Sequence, residues 1–345
     1  MPEVIKNTDL DFSQALVYDA HLLKTFRACE EKFNLFEVQH VVSKKMSAAP
    51  AFGIAMHEAI ASYRLAKKLG KTFDVALSEA QQALLVAYKT HMPPEMKSEI
   101  MADEKRGPKN GLRLLEGYCR HYEPMGMTWH HVEVPFALYL GKVKVPLAKP
   151  DIINGDSLNN YELIHTYDVV DKDLIYVGII DGVHEWQSRM VTNDIKTTGW
   201  AINQSWLDGW RLDQGLLGYV IAVRELLGID THHATVHGIW VSGEAKNPKS
   251  AKPLDDYFQT TEIYWDDDQI AEWTANTITT VEDIEVKRAT GKYVRDLGQN
   301  CGAFGGCPYR PICWTTPKFR QNIINVDFKR AIWTPLEDER LQDID

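Results

Sequence analysis

Leu174-Ile-Tyr-Val-Gly-Ile-Ile-Asp-Gly-Val183 is followed, after a turn around Trp186 to Arg189, by Met190-Val-Thr-Asn-Asp-Ile-Lys196. Both runs are apolar and rich in β-branched residues, so both read as strands, and the short turn makes them hairpin neighbours. Asp181 lies near the end of the first strand. In the second, side chains two apart share a face, so Asp194 and Lys196 project together. A hairpin lets Asp181 and Asp194 converge. Two carboxylates facing one point suit a hard divalent ion. A lysine beside that ion can orient or deprotonate the attacking water. The chemistry indicated is hydrolysis of a phosphodiester. An Asp-x-Lys triplet alone arises about once by chance in a chain of this composition and length, so its weight depends on its surroundings.

Outward from this hairpin the pattern is mixed. Leu22, Leu23, Phe26, Cys29 and Phe33 recur at helical spacing, as do Met56, Ile60, Tyr63 and Leu65. Val75 to Tyr88 and Leu112 to Tyr122 read as further helices. Trp129 to Leu140 alternates as a strand and carries Glu133, which faces either the site as an outer ligand or water. Ser205 to Leu227 predicts one long amphipathic helix stopped by Gly228. Ala234 to Val241 and Tyr257 to Trp265 predict two more strands. Asp266-Asp-Asp opens a last helix to about Arg288, its acids favourable at the N-terminus. Residues 141–173 read as an excursion with room for a strand of its own. The fold class is therefore α/β, a mixed central sheet flanked by helices. We expect a helical part over 1–128 carrying Cys29 and His57, a core over 129–290, and a cysteine turn and tail over 291–345.

That turn reads Cys301-Gly-Ala-Phe-Gly-Gly-Cys307-Pro-Tyr-Arg-Pro-Ile-Cys313. Three thiolates so close in sequence suit a metal better than a disulfide, because a metal takes all of them at once. Cys29 is a candidate fourth ligand, which clips the two ends of the chain together. The fifth cysteine, Cys119, reads as a small core residue. An odd cysteine count and the absence of a secretory leader fit a reducing cytoplasm.

A chain 44% hydrophobic and 25% charged is ordinary for a globular protein, and no apolar run approaches the roughly 20 residues of a membrane span. A net charge of −10 excludes coating nucleic acid through bulk positive charge, but not a local grip aided by cations on carboxylates. Basic stretches lie at Lys105 to Arg113, at Lys246, Lys249 and Lys252, and at Lys287, Arg288, Lys292 and Arg295; each reads first as solvated loop. Gly70-Lys71-Thr72 is no phosphate loop, because Leu65 stands where the motif needs glycine. Ten tryptophans offer surfaces for unpaired bases, though tryptophan more often fills cores.

Taken in order, Leu22 to Phe33 around Cys29, Gly53-Ile-Ala-Met-His57, Gly178-Ile-Ile-Asp181, Asp194-Ile-Lys196, Gln214 with Tyr219, and the three late cysteines resemble the PD-(D/E)XK nuclease superfamily, with its restriction-endonuclease-like sheet. Within it the chain resembles the RecB-like iron–sulfur exonucleases: the CRISPR-associated four-cysteine exonucleases, the AddB nuclease domain and phage relatives. The resemblance implies an Mg²⁺- or Mn²⁺-dependent DNA exonuclease acting on single-stranded ends, in recombination, repair or CRISPR-type processing alongside protein partners. It implies His57, Asp181, Asp194 and the Ile195 carbonyl as ligands and Lys196 as the catalytic lysine. Gln214 and Tyr219 would position substrate, and Cys29, Cys301, Cys307 and Cys313 would bind a [4Fe–4S] cluster. Zinc is the competing metal, although the spacing lacks the Cys-x-x-Cys knuckles usual for it. Gln214 and Tyr219 stand five positions apart, about 140° around a helix, where the family often has four. The first late cysteine gap is longer than the common Cys-x-x-Cys, which leans toward a phage-type relative. A nuclease-derived subunit that binds DNA ends or a partner protein, its catalysis incidental, is the alternative.

Overall fold

The hairpin at the centre of the sequence is the centre of the sheet. The computed structural model describes residues 5–6, 11–44, 48–91, 101–147, 168–244, 252–302, 306–332 and 334–335. Strands β1 (Ile5–Lys6) and β2 (Leu16–Tyr18) precede helices α1 (Ala20–Ala28) and α2 (Glu30–Phe33), strand β3 (Val41–Ser43), and helices α3 (Ala48–Lys68), α4 (Phe73–His91) and α5 (Pro108–Tyr122). Strands β4 (Thr128–Pro146), β5 (Val169–Trp186) and β6 (Arg189–Thr198) follow. Helices α6 (Gln204–Gly209) and α7 (Gln214–Leu227) lead to β7 (His233–Trp240) and β8 (Phe258–Tyr264). The chain ends in α8 (Asp267–Thr290), α9 (Arg310–Trp314), α10 (Arg320–Asp327) and β9 (Phe328–Arg330).

The main sheet runs β1-β4-β5-β6-β7-β8, with β2 beside β5. The β4–β5, β5–β6 and β7–β8 pairs are antiparallel, whereas β6–β7 is parallel and crosses over through α6 and α7. Each face carries its own core. On one, α1, α7 and α8 bury Leu22, Val220 and Trp273 against Phe136, Tyr176, Ile180 and Val236. On the other, α3, α4 and α5 bury Met56, Leu84 and Leu114 against Ile195, Ile239 and Phe258. This is the mixed sheet between helices that the sequence predicts, and Cys119 is buried in the second core as expected.

Local chemistry explains the departures. The long helix predicted over 205–227 is two helices, because the Asp213 carboxylate accepts from the backbone N–H groups of Gly215 and Leu216 and starts α7 afresh. The helix predicted through Cys29 breaks there, with Cys29 extended (φ −170°) between α1 and α2. Helix α8 opens on a capping box, Asp266 with Gln269, and ends at Gly291 with φ 65°. The ends of the predicted excursion are instead the extended arms of the β4–β5 hairpin, paired as far as Pro146 and Val169. Residues 148–167 between them, Lys246 and Lys249, and the tail from 336 lie outside the described residues. Leu65 is exposed rather than core.

Four short strands escaped the sequence reading, because two or three residues carry no readable period. One pair matters: β3 and β9 are antiparallel, joining residues 41–43 to 328–330. Around them Leu35, Tyr309, Ile312, Ile324 and Phe328 form a small separate core, and the Tyr309 hydroxyl donates to the Val41 carbonyl at 2.7 Å. The cysteine turn is thus also held to the early chain by packing. Among the described residues no helix is long and apolar enough to cross a membrane.

Candidate active site

Strands β5 and β6 part where the acids stand. Their pairing ends at Gly182↔Asn193, one step before Asp181 and Asp194. The backbone group freed by that opening is taken up by a side chain: Ile195 N donates to Asp181 Oδ2 at 2.8 Å. Asp181 Oδ2 also lies 3.3 Å from Nδ1 of His57, presented by α3. On β4, the pairs Val132↔Gly182 and Val134↔Ile180 place Glu133 opposite Asp181. Glu133 has φ 50°, an unfavourable backbone for a side-chain-bearing residue within a strand and a mark of functional sites. One ligand atom each from His57, Glu133 and Asp181 lies within 4.8 Å of the others. One imidazole with two carboxylates from three separate elements is a donor set that fits a hard divalent ion.

Asp194 and Lys196 project together as alternation requires. The ammonium reaches Oδ1 of Asp194 at 2.8 Å and approaches Oδ2 at 2.6 Å. All these side chains and Tyr219 line one cavity of about 780 Å³. Burial alone would raise the Asp181 carboxyl, but the His57 and Lys196 charges and the Ile195 N–H hold it well below the usual range. Burial pushes Asp194 up to about 6; Lys196 opposes this, and the Asp181 charge adds to it. His57 rises despite burial because Asp181 faces it, and Lys196 rises despite burial because both acids do.

The signs define a pH test. A carboxyl raised on folding favours the folded state below its unfolded pKa, and that contribution is lost as pH rises through about 6. The lowered Asp181 acts oppositely and gives up stability only in acid. A divalent ion binding the ionised acids displaces these protons. The rise in melting temperature on adding Mn²⁺ is therefore expected to be larger at pH 7.5 than at pH 5, and thermal melts at the two pH values measure it.

Beneath the acids lies a group that the sequence reading missed. Arg64, seven residues after His57 on α3, is fully buried. Its Nη1 donates to the Asp181 carbonyl at 3.2 Å, and its Nη2 donates to Asn193 Oδ1 and, at 2.9 Å, to the Tyr118 hydroxyl. The guanidinium sits 4.0 Å from the centre of the Trp129 ring. One side chain thus ties together the two acid-bearing strands where they part. Burial, then the Arg64 charge, lowers His184 to about 3 and holds His237 well down, so both rings are neutral. Gly182 gives this layer its room: a Cβ there would stand 2.7 Å from Cζ3 of Trp129. Gly182→Ala is expected to cost about 1–3 kcal/mol in urea unfolding through overpacking. The only sequence signal for Arg64 was a charge amid the apolar positions of α3.

Of the pair on α7, Tyr219 lines the cavity and Gln214 does not. Gln214 Oε1 accepts from Arg27 at 3.3 Å, and its carbonyl accepts from Trp273 Nε1 at 2.8 Å. The angular separation read from the sequence is real, and it is Tyr219 that faces the acids.

Cys29, Cys301, Cys307 and Cys313 line a second cavity of about 560 Å³. Asp296 N donates to Cys29 Sγ at 3.5 Å, and Cys301 Sγ donates to the Asp296 carbonyl at 3.1 Å. The four thiols do not close into a set as tight as that of His57, Glu133 and Asp181. Burial, then the neighbouring Cys307 and Cys29, raises the Cys301 thiol; burial raises Cys313, and Arg295 opposes it. His21 and Lys24 of α1 line both cavities.

Parted strands bearing two acids and a lysine over a buried clamp form an arrangement that can hold a divalent ion and activate water. The family model for the PD-(D/E)XK nuclease superfamily matches residues 20–314, and the chain belongs to that superfamily. Membership places it among metal-dependent nucleases, hydrolases whose substrate is nucleic acid. No curated protein matches the chain.

Proposed function

We propose that this protein is a metal-dependent DNA exonuclease acting at single-stranded ends, of the RecB-like iron–sulfur type and nearest in character to a phage relative. The observation that carries the reading is the meeting of His57, Glu133 and Asp181 within 4.8 Å in the cavity that also holds Asp194 and Lys196. In this reading His57, Asp181 and Asp194 hold Mg²⁺ or Mn²⁺ with the Ile195 carbonyl, and Glu133 joins them as a ligand rather than an outer neighbour. A divalent ion bound there draws charge from phosphate oxygens and makes water acidic enough to attack at neutral pH. Lys196, its ammonium fixed by Asp194, orients the attacking water and offsets the negative charge that grows on the phosphate. Tyr219 bounds the cavity beside them and positions the scissile strand. Gln214 acts at one remove, through Arg27 and the start of α7.

The four cysteines hold a [4Fe–4S] cluster in this reading. The four cysteines line one cavity, and a cluster bound there would be held by their four thiolates. The helical part, the nuclease core and the cysteine turn then act as one unit, in the cytoplasm, closed by cluster, mini-core and the β3–β9 pair. Visible absorbance near roughly 400 nm, with iron and zinc analysis, tests the metal. Cys307→Ser is expected to bleach that absorbance and to cost up to about 5 kcal/mol, the limit for closing so long a loop. Activity falls only as the fold does. The deciding experiment is cleavage of end-labelled single- and double-stranded DNA with Mn²⁺, with 5′ or 3′ ends blocked. Loss of cleavage on blocking one end supports an exonuclease; no cleavage of any strand leaves the end-binding alternative.

A further inference from the structure

Two features remain unused by the centre: the basic stretch from Lys105 and the exposed tryptophans. In the folded chain Arg106 of the first reaches Gly199, the residue before the exposed Trp200 of the second. Strand β6 carries Lys196, ends at Thr198, and is followed by Gly199 and Trp200. The Trp200 side of the chain is open to solvent, at 75% exposure. Its backbone is nonetheless fixed: Trp200 N donates to Thr198 Oγ1 at 3.1 Å, and that hydroxyl donates to the Trp200 carbonyl at 3.3 Å. The end of β6 is tied to β7 in turn, with Val241 N donating to the Thr198 carbonyl at 2.7 Å.

Against this turn lies Arg106, whose Nη2 is 3.1 Å from the position a Cβ would take on Gly199. The loop beneath it is built. Asp103 accepts from the N–H groups of Lys105 and Arg106, and Tyr88 donates to the Arg106 carbonyl at 2.7 Å. Other cations of the stretch are engaged: Arg113 donates to Asn110 and to the Ser242 carbonyl and covers the Tyr257 ring. The Arg106 guanidinium has neither hydrogen bond nor ion pair among the described residues. An uncompensated guanidinium on a pinned loop, against the glycine that precedes an exposed tryptophan on a pinned turn, offers a phosphate contact and a base-stacking surface on neighbouring residues. Four residues of extended chain put Trp200 at most roughly 14 Å from Lys196.

We propose that Trp200 and Arg106 form a docking platform for single-stranded DNA, stacking one base and holding one phosphate a few nucleotides from the bond that is cleaved. The platform rests on the nuclease reading for its substrate, but binding tests it separately from cleavage. The protein should carry Lys196→Ala so that strands stay intact, with binding followed by fluorescence anisotropy of a dye-labelled single-stranded oligonucleotide. Trp200→Ala is expected to weaken binding about tenfold, the scale of one stacked base, and Trp200→Phe to restore most of it. Arg106→Gln is expected to lower the salt dependence by the share of about one phosphate. An oligonucleotide carrying a single abasic position, scanned along the strand, should show one position that weakens binding with Trp200 present and is silent in Trp200→Ala. Equal binding by Trp200→Ala, or an abasic scan unchanged by it, overturns the platform. If the protein with Lys196 intact cleaves nothing while these shifts appear, the nuclease reading fails and the platform stands.

Discussion

Lys196→Ala is expected to lower DNA cleavage by at least about 10³-fold while the protein still folds and binds DNA. The size follows from the two tasks the proposed mechanism gives its ammonium, orienting the attacking water and stabilising growing charge, each worth about 10² or more. Retention of the fold follows from its position: the side chain enters the cavity with about a third of its surface exposed, and its ammonium lies 5.6 Å from the centre of the Trp210 ring. Its removal leaves Asp194, 2% exposed, without its ion-pair partner. Burial already raises Asp194, so without Lys196 the carboxyl titrates higher still, and the variant loses stability at neutral pH more than at pH 5. Single-turnover cleavage with saturating Mn²⁺, beside melts at both pH values, separates chemistry from stability. Activity within tenfold of the unaltered protein would remove Lys196 from the mechanism.

Arg64→Met is expected to destabilise the fold by about 3–5 kcal/mol and to loosen the metal site in whatever remains folded. Methionine restores much of the volume but none of the donors. The Asp181 carbonyl and Asn193 Oδ1 then lose a buried partner, at about 1–3 kcal/mol each. Tyr118 keeps its 2.8 Å contact with His237 and is the lesser loss. Arg64→Lys keeps the charge but can neither stack a flat guanidinium on Trp129 nor fork to both strands, so it should fall between the two. Urea unfolding gives the first effect and Mn²⁺ titration of the folded protein the second. Stability with Mn²⁺ affinity unchanged in Arg64→Met would mean that the parted strands hold themselves.

What could be read ahead of the structure was what repeats or alternates. Long strands, long helices and the Asp194–Lys196 pair follow from periods of two and 3.6, and Cys119 from its apolar setting. Residues joined by register could not be read. Glu133 lies opposite Asp181 only because β4 and β5 pair as they do, and nothing in Val132-Glu-Val-Pro announces that. Spacing set Gln214 and Tyr219 about 140° apart on a helix, but only the docking of α7 shows that Tyr219 is the one lining the cavity. Arg64 is invisible to pattern because its partners come from α5, β4, β5 and β6, and the sum of those contacts makes its burial tolerable.

The α/β class, the hairpin and the identity of the chemical groups were legible in the residues alone: acids, a lysine and four thiols in an order that resembles one nuclease superfamily. These are local properties, set by side-chain periodicity and by which atoms can hold a cation. Where the strands part, that Glu133 comes within 4.8 Å of His57 and Asp181, and that Arg106 reaches Gly199 follow only from the folded chain. Those depend on strand register and helix docking, where free energy comes from many long-range contacts that no short stretch of chain encodes.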